Sequence, residues 1–268
     1  AANLTDGNEI WTISAVDAGA YKDADADDTN TFVAGGASGG SGRSISFRPD
    51  GIALALGGGL DNQGMGFGVK PFDFETLKDF TLSDTGEFRL SRAVSWAEHD
   101  SINRADGVDW SPDNQYLAVA HYSLDVRVYK VDNGVPTEIT TAKVTHTGSD
   151  WVNGVSWHPS GKYLAVADKS SATDQLKVYK FDGTTLSLVA SISSGSADFG
   201  DTISWHPSGR FIAFGSYTGT LGVFRFYDTS GAESLISATT ASHGAALQWA
   251  KWSPSGKYLM AGGAYYAT

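Results

Sequence analysis

A seven-residue pattern recurs along this chain, and recurrence at a near-constant spacing limits the fold more than any other feature of a sequence. Ile45-Ser46-Phe47-Arg48-Pro49-Asp50-Gly51 is the first copy. Val108-Asp109-Trp110-Ser111-Pro112-Asp113-Asn114 and Val155-Ser156-Trp157-His158-Pro159-Ser160-Gly161 follow. Ile203-Ser204-Trp205-His206-Pro207-Ser208-Gly209 and Ala250-Lys251-Trp252-Ser253-Pro254-Ser255-Gly256 complete the set. The prolines of these copies lie 63, 47, 48 and 47 residues apart, and they are five of the seven prolines in 268 residues.

Each part of the pattern has a physical reading. The opening triplet alternates apolar, polar and aromatic, as a half-buried strand does. Pro then presets φ in a turn, and the Gly or Asn that follows accepts positive φ. A second strand comes at once: Tyr116-Leu117-Ala118-Val119-Ala120, Tyr163-Leu164-Ala165-Val166-Ala167, Phe211-Ile212-Ala213-Phe214-Gly215 and Tyr258-Leu259-Met260-Ala261-Gly262. These runs are almost wholly apolar, so they read as strands covered on both faces. Their small residues let stacked sheets approach closely. Val126-Arg127-Val128-Tyr129-Lys130-Val131, 176–181 and 221–226 alternate as third strands, whose Lys and Arg side chains should point outward. A weaker fourth strand follows, as at 186–192, which suits an outer edge. A four-stranded antiparallel unit of about 47 residues has the size of a propeller blade.

The Trp-Ser-Pro-Asp/Ser-Gly-Lys-Tyr-Leu-Ala-Val-Ala pattern resembles WD-repeat proteins, specifically the divergent bacterial and phage-type versions. The resemblance covers nearly the whole chain and implies an all-β propeller. It says little about activity. The Gly-His pair before the first strand and the Trp-Asp pair ending the third are missing. The family's Asp-His-Ser/Thr-Trp network is therefore not carried over; His146 and His243 are only loose substitutes.

The fifth unit stops after two strands, whereas Glu9-Ile10-Trp11-Thr12-Ile13-Ser14-Ala15-Val16 and Thr31-Phe32-Val33-Ala34-Gly35 precede the first. The expectation is one five-bladed β-propeller domain over residues 1–268. Its blades start near 45, 108, 155, 203 and 250, and residues 9–35 complete the last. Such closure removes a long unpaired edge. The 63-residue interval before Pro112 leaves room for an insertion, and residues 86–100 are its candidate.

The net charge of −11 disfavours nucleic acid and anionic membrane surfaces as partners. With no cysteine, disulfides, thiolate nucleophiles and Cys-based zinc sites are excluded. No apolar run approaches the length of a membrane-spanning helix. Ala1-Ala2-Asn3 at the start would suit a chain cleaved after a small residue, a hint of export.

Chemistry-bearing residues are sparse. Asp23, Asp25, Asp27 and Asp28 form an acidic loop that could converge on Ca²⁺, which takes many oxygen ligands. It departs from the EF-hand pattern at Asp28 and Ala34, and a solvated acidic loop is the other reading. No Gly-x-Ser-x-Gly elbow and no His-Glu-x-x-His pair occur. His158 and His206 share a turn position, which reads as structural. Gly57-Gly58-Gly59 reads as a close-packed strand end. The polar triplet positions Ser46, Asp109, Ser156, Ser204 and Lys251 form no acidic ring.

Trp110, Trp157, Trp205 and Trp252 read as core between blades. Trp151 and Trp249 instead fall just before first strands, in blade-connecting loops. In the family that end of the disc carries partner contacts in many members. Here it would hold Tyr122, Asp150, Trp151, Asn153, Phe199, Asp201, Tyr217, Gln248 and Trp249, since aromatics among polar groups suit recognition. Packing of both tryptophans under their own loops is the alternative.

The expected function is a non-catalytic interaction or structural module with protein partners, including copies of itself. Low Lys and Arg, abundant Gly, Ser and Thr, and no Cys resemble exported surface proteins and virion components. An intracellular scaffold that grips peptides differs only in address. The alternative is a propeller enzyme acting on a carbohydrate or lactone with Ca²⁺, for which Asp109, His99 and Asp100 are the best candidates. No cofactor beyond that Ca²⁺ is implied.

Overall fold

The computed structural model describes residues 41–50, 53–59, 67–71, 105–121, 125–132, 135–145, 151–169, 174–193, 202–216, 219–242 and 246–264. Among these residues there is no helix, and seventeen strands form five antiparallel sheets. The first sheet holds β1 (Ser41–Phe47), β2 (Ala53–Gly59) and β3 (Phe67–Pro71). The second holds β4 (Ala105–Trp110), β5 (Tyr116–His121), β6 (Asp125–Asp132) and β7 (Val135–Thr145). The third holds β8 (Trp151–Trp157), β9 (Tyr163–Lys169), β10 (Leu176–Phe181) and β11 (Leu186–Ile192). The fourth holds β12 (Thr202–Trp205), β13 (Phe211–Gly215), β14 (Thr220–Tyr227) and β15 (Ser234–Ser242). The fifth has β16 (Ala246–Trp252) and β17 (Leu259–Ala264). Strands in each sheet pair in chain order, as hairpins require.

The repeated heptad makes the first hairpin of each sheet. Asn114, Gly161, Gly209 and Gly256 stand at one turn position with φ of 66°, 73°, 72° and 70°. Only Gly, or Asn at a cost, adopts such angles readily. The backbone N–H of Ser111, His158, His206 and Ser253 donates to the carbonyl of the residue five on, at 2.8 Å in each case. The four turns are thus one structure written four times.

The sheets stack face to face in sequence order, β1 beside β4, then β8, β12 and β16. Ala118, Ala120, Val126 and Val128 of the second sheet meet Val155, Trp157, Leu164 and Val166 of the third. Tyr163, Ala165, Ala167 and Val178 of the third meet Ile203, Trp205, Ile212 and Phe214 of the fourth. The rule is small residues on the outgoing face and large ones on the incoming face. Trp110, Trp157 and Trp205 are buried in this way, each stabilising by about 3 kcal/mol relative to exposure.

Near the inner strands the sheets touch backbone to backbone. A Cβ on Gly107 would lie 2.8 Å from the Asn153 carbonyl oxygen and 3.0 Å from the Gly154 Cα. Inner strands cannot share a ladder across this gap, so side chains bridge it. Ser44 Oγ accepts from Val108 N at 3.1 Å, Ser156 Oγ from Trp205 N at 3.2 Å, and Thr202 Oγ1 from Ala250 N at 2.7 Å.

Candidate functional site

The polar triplet residues meet on the inner strands, with Asp109 at their hub. Its Oδ1 accepts from Ser46 Oγ of the first sheet at 3.1 Å. Its Oδ2 accepts from Trp157 N of the third at 2.7 Å, and its carbonyl accepts from Trp157 Nε1 at 3.1 Å. Burial pushes the Asp109 carboxyl above its ordinary range. Attraction from Lys251 and hydrogen bonds from Trp157, Ser46 and Ser156 oppose that rise. Lys251 belongs to β16 of the fifth sheet, and its positive charge acts on the Asp109 carboxyl. The arrangement is one carboxylate, one ammonium and hydroxyls, with the carboxylate already engaged by two neighbouring sheets.

A second polar row lies at the loop end of the inner strands. The β1–β2, β4–β5, β8–β9 and β16–β17 pairs each slip register by one residue at the same place. The inserted residues are Arg43, Asp106, Asn153 and Gln248. A bulge bends its strand and re-aims the inserted side chain, and here every inserted residue is polar. Two residues expected on the partner face, Asn153 and Gln248, are therefore bulge residues.

Trp151 and Trp249 were expected in connecting loops, and the structure corrects this. Trp151 opens β8 opposite Lys169, and Trp249 lies within β16 opposite Gly262. Pairing continues beyond the bulge, so the inner strands run further than the alternating triplet. Trp249 is 48% exposed, with its indole flat on Gly262, where an added Cβ would fall 2.5 Å from the ring. Tyr122, Asp150, Phe199, Asp201 and Tyr217 lie outside the described residues, as do Asp23, Asp25, Asp27, Asp28, His99, Asp100, His146, His243, residues 9–35 and residues 86–100. Among the described residues no three His, Asp or Glu side chains are grouped to hold a metal.

The third strands also depart from expectation. Lys130, Lys180 and Arg225 do point outward, but Arg127 is buried. Its Nε and Nη2 donate to the two Asp125 oxygens at 2.9 Å, Lys143 Nζ reaches Asp125 at 2.9 Å, and Glu138 takes Arg127 Nη1 at 3.2 Å. Burial alone would raise the Asp125 carboxyl, but the hydrogen bonds from Arg127 and Lys143 hold it below its ordinary value. Lys177 makes the corresponding ion pair with fully buried Asp168. A buried carboxylate requires such partners, which is why these cations turn inward. Residues two apart on a strand share a face, so Asp125 and Arg127 carried a readable signal that polarity alone obscured.

The two ends of the stack expose apolar faces. Ile45 and Phe47 of β1 are 45% and 47% exposed, whereas Val108 and Trp110 in the same places are 4% and 3%. On the fifth sheet Trp249, Tyr258 and Met260 are half-exposed or more. Trp249 stands where the second and third sheets have Gly107 and Gly154, and Met260 where they have Ala118 and Ala165. The outgoing face of the fifth sheet is thus too bulky to receive a neighbour as closely as the inner sheets do.

The repeated antiparallel sheets, four-stranded in the second to fourth units, have the character of a WD-repeat-like β-propeller. The model of the eukaryotic translation initiation factor eIF2A family matches residues 137–266, from β7 through β17. Comparison with curated proteins gives no match. The sheets are accordingly its blades.

Proposed function

We propose that this protein is a non-catalytic structural and interaction module that assembles with other protein chains, copies of itself included. The observation that carries this reading is the chemistry of its outer edges. β11 and β15 contain no charged residue, and Leu188 and Ile236 on them are 55% and 47% exposed. In a chain of net charge −11, two uncharged edges stand out. An open, uncharged strand edge is a template for pairing with another chain. β7, by contrast, carries Pro136, Glu138 and Lys143, which discourage such pairing. The composition favours an exported surface or virion-type subunit of the kind the phage-type resemblance suggests. The matched family is named for translation initiation, and that name alone does not transfer a role, because one fold serves many functions.

The same proposal includes a ring of five blades closed by residues 9–35 in the last blade. The fifth sheet has two strands where the second, third and fourth have four. Its residues 246–264 carry Lys251 and Lys257 and no acid, while residues 1–40 carry seven acidic residues and one lysine. Opposite charge favours their association. Because the chain has no cysteine, paired substitutions such as Ile13→Cys with Ala261→Cys give an unambiguous cross-link. Intramolecular disulfides in the monomer are expected, and their absence across several such pairs would remove the closure.

Light scattering against concentration tests the assembly. Concentration-dependent oligomers are expected, and Leu188→Lys with Ile236→Lys should dissolve them. A monomer at every concentration overturns the reading. A chelator arm addresses Asp23, Asp25, Asp27 and Asp28: disassembly there would assign Ca²⁺ to the acidic loop.

A further inference from the structure

The inner strands of consecutive blades are joined by one recurring hydrogen bond, and the fifth blade cannot offer it. The polar residue of the triplet accepts the backbone N–H of the aromatic in the next blade. Ser46 Oγ accepts from Trp110 N at 3.3 Å, Asp109 Oδ2 from Trp157 N at 2.7 Å and Ser156 Oγ from Trp205 N at 3.2 Å. The fourth blade keeps an oxygen at this place in Ser204, but the fifth has Lys251. An ammonium donates and has no lone pair with which to accept. A blade set against Lys251 in the same way would leave its own aromatic N–H without a partner, which buried backbone groups rarely tolerate.

The fifth blade also lacks the room. Opposite the polar residue stand Ala55, Ala118, Ala165 and Ala213 in the first four blades, and Met260 in the fifth. Two places back along the inner strand, glycine allows close approach: a Cβ on Gly154 would lie 3.1 Å from Ile203 Cγ2 of the next blade. Trp249 fills that place in the fifth, with its indole on Gly262, where the third blade has Ala167.

The turns add a second link across each joint. Asp50 N donates to Asn114 Oδ1 at 3.1 Å, and Pro112 packs against Gly161. Ser160 N donates to His158 Nδ1 at 3.0 Å, so the imidazole proton lies on Nε2, which donates to the Gly209 carbonyl at 3.1 Å. His206 repeats this with Ser208 N and Gly256 O. The Ser253 hydroxyl is instead taken up within its own turn, meeting Ser255 Oγ at 3.2 Å and accepting from Tyr258 N at 3.0 Å.

We infer that the ring has a seam: the joint between the fifth blade and the first opens and recloses, while the four joints between consecutive blades stay shut. This rests on the closed ring proposed above, which brings Ile45 and Phe47 against Trp249 and Met260. Those four side chains are half-exposed, whereas the counterparts of Ile45 and Phe47 in the second blade, Val108 and Trp110, are buried. Large side chains on both faces keep the two inner strands apart. Opening there parts apolar surface and breaks none of the recurring hydrogen bonds, and each blade keeps its own ladder.

Two experiments on the full chain separate the seam from the ring. The chain has no cysteine, so Ile45→Cys with Trp249→Cys reports closure at the places where Ile203 and Gly154 touch between the third and fourth blades. An intramolecular disulfide in the monomer is expected, and its absence removes the ring and the seam with it. The second experiment copies the outgoing face of the third blade onto the fifth, as Trp249→Gly, Lys251→Ser, Met260→Ala and Gly262→Ala. This graft supplies the acceptor and the room, so hydrogen-exchange protection in β1 and β16 should rise by about tenfold or more, with β8 and β9 unchanged. Protection in β1 and β16 that stays level or falls, in a chain whose cysteine pair does close, overturns the seam alone. Should the graft not fold, exchange in the unaltered protein decides: β1 and β16 are expected to exchange faster than β4, β8 and β12, and equal rates overturn the inference.

Discussion

His158 donates its Nε2 proton to the Gly209 carbonyl across a blade boundary, and the space that makes this possible belongs to Gly209. A Cβ there would lie 2.2 Å from the ring nitrogen, and φ at this residue is +72°. Strain and overlap act together in Gly209→Ala, for an expected loss of about 2–3 kcal/mol. Gly183, with φ of +97° and nothing near an added Cβ, bears the strain alone. Gly183→Ala should cost about 1 kcal/mol. Urea midpoints measured side by side separate the two, and equal losses would mean that the His158 contact contributes nothing.

The Asp109 carboxyl is raised by burial. Its folded pKa therefore exceeds its unfolded value, and folding is disfavoured as pH rises through the raised value. Asp109→Asn retains an acceptor for Trp157 N and removes the ionisation. It should match the parent near pH 4 and exceed it in stability at pH 8. Asp109→Ala, which leaves Trp157 N without its acceptor, should lose about 1–3 kcal/mol. Chemical denaturation at the two pH values checks both, and a less stable Asp109→Asn at pH 8 would contradict the burial argument.

Asp125 moves in the other direction. Its pKa is lowered by Arg127 and Lys143 against the cost of burial, so its contribution is present above the unfolded carboxylate range and is lost as pH falls through the folded value. Arg127→Ala leaves the carboxylate buried with one cation fewer, at an expected cost of about 3–5 kcal/mol. Acid-unfolding curves should show the variant's midpoint shifted toward neutral pH. Coincident curves would mean that Lys143 alone suffices.

Blade stacking predicts an asymmetric pair of substitutions. Ala165 is fully buried against the fourth blade, so Ala165→Met overpacks that joint by about 1–3 kcal/mol. Met260, in the same place on the fifth blade, is 57% exposed. Met260→Ala should stay within about 0.5 kcal/mol, as exposed sites usually do. Thermal unfolding of the two variants checks the difference. A large loss at Met260 would show the outgoing face of the last blade to be packed, as it is where a closed ring brings the first blade against it.

Much of this protein is determined by the sequence alone. The alternating triplet, Pro and Gly or Asn specify a hairpin through local sterics, so strand order and the positive-φ turns at Asn114, Gly161, Gly209 and Gly256 are legible without any tertiary contact. The small-residue runs at 118–120 and 165–167 likewise announce close stacking. Tertiary structure alone decided the rest. The bulges that aim Asn153 and Gln248 depend on register with a partner strand, and a one-residue slip leaves no local mark. Asp109 becomes the hub of three blades because residues 63 and 48 positions away are brought to its carboxylate. The His158 and His206 links exist because the next blade places a carbonyl within reach of each ring. Interactions between residues far apart in sequence depend on the packing of whole sheets, and that packing has no local code.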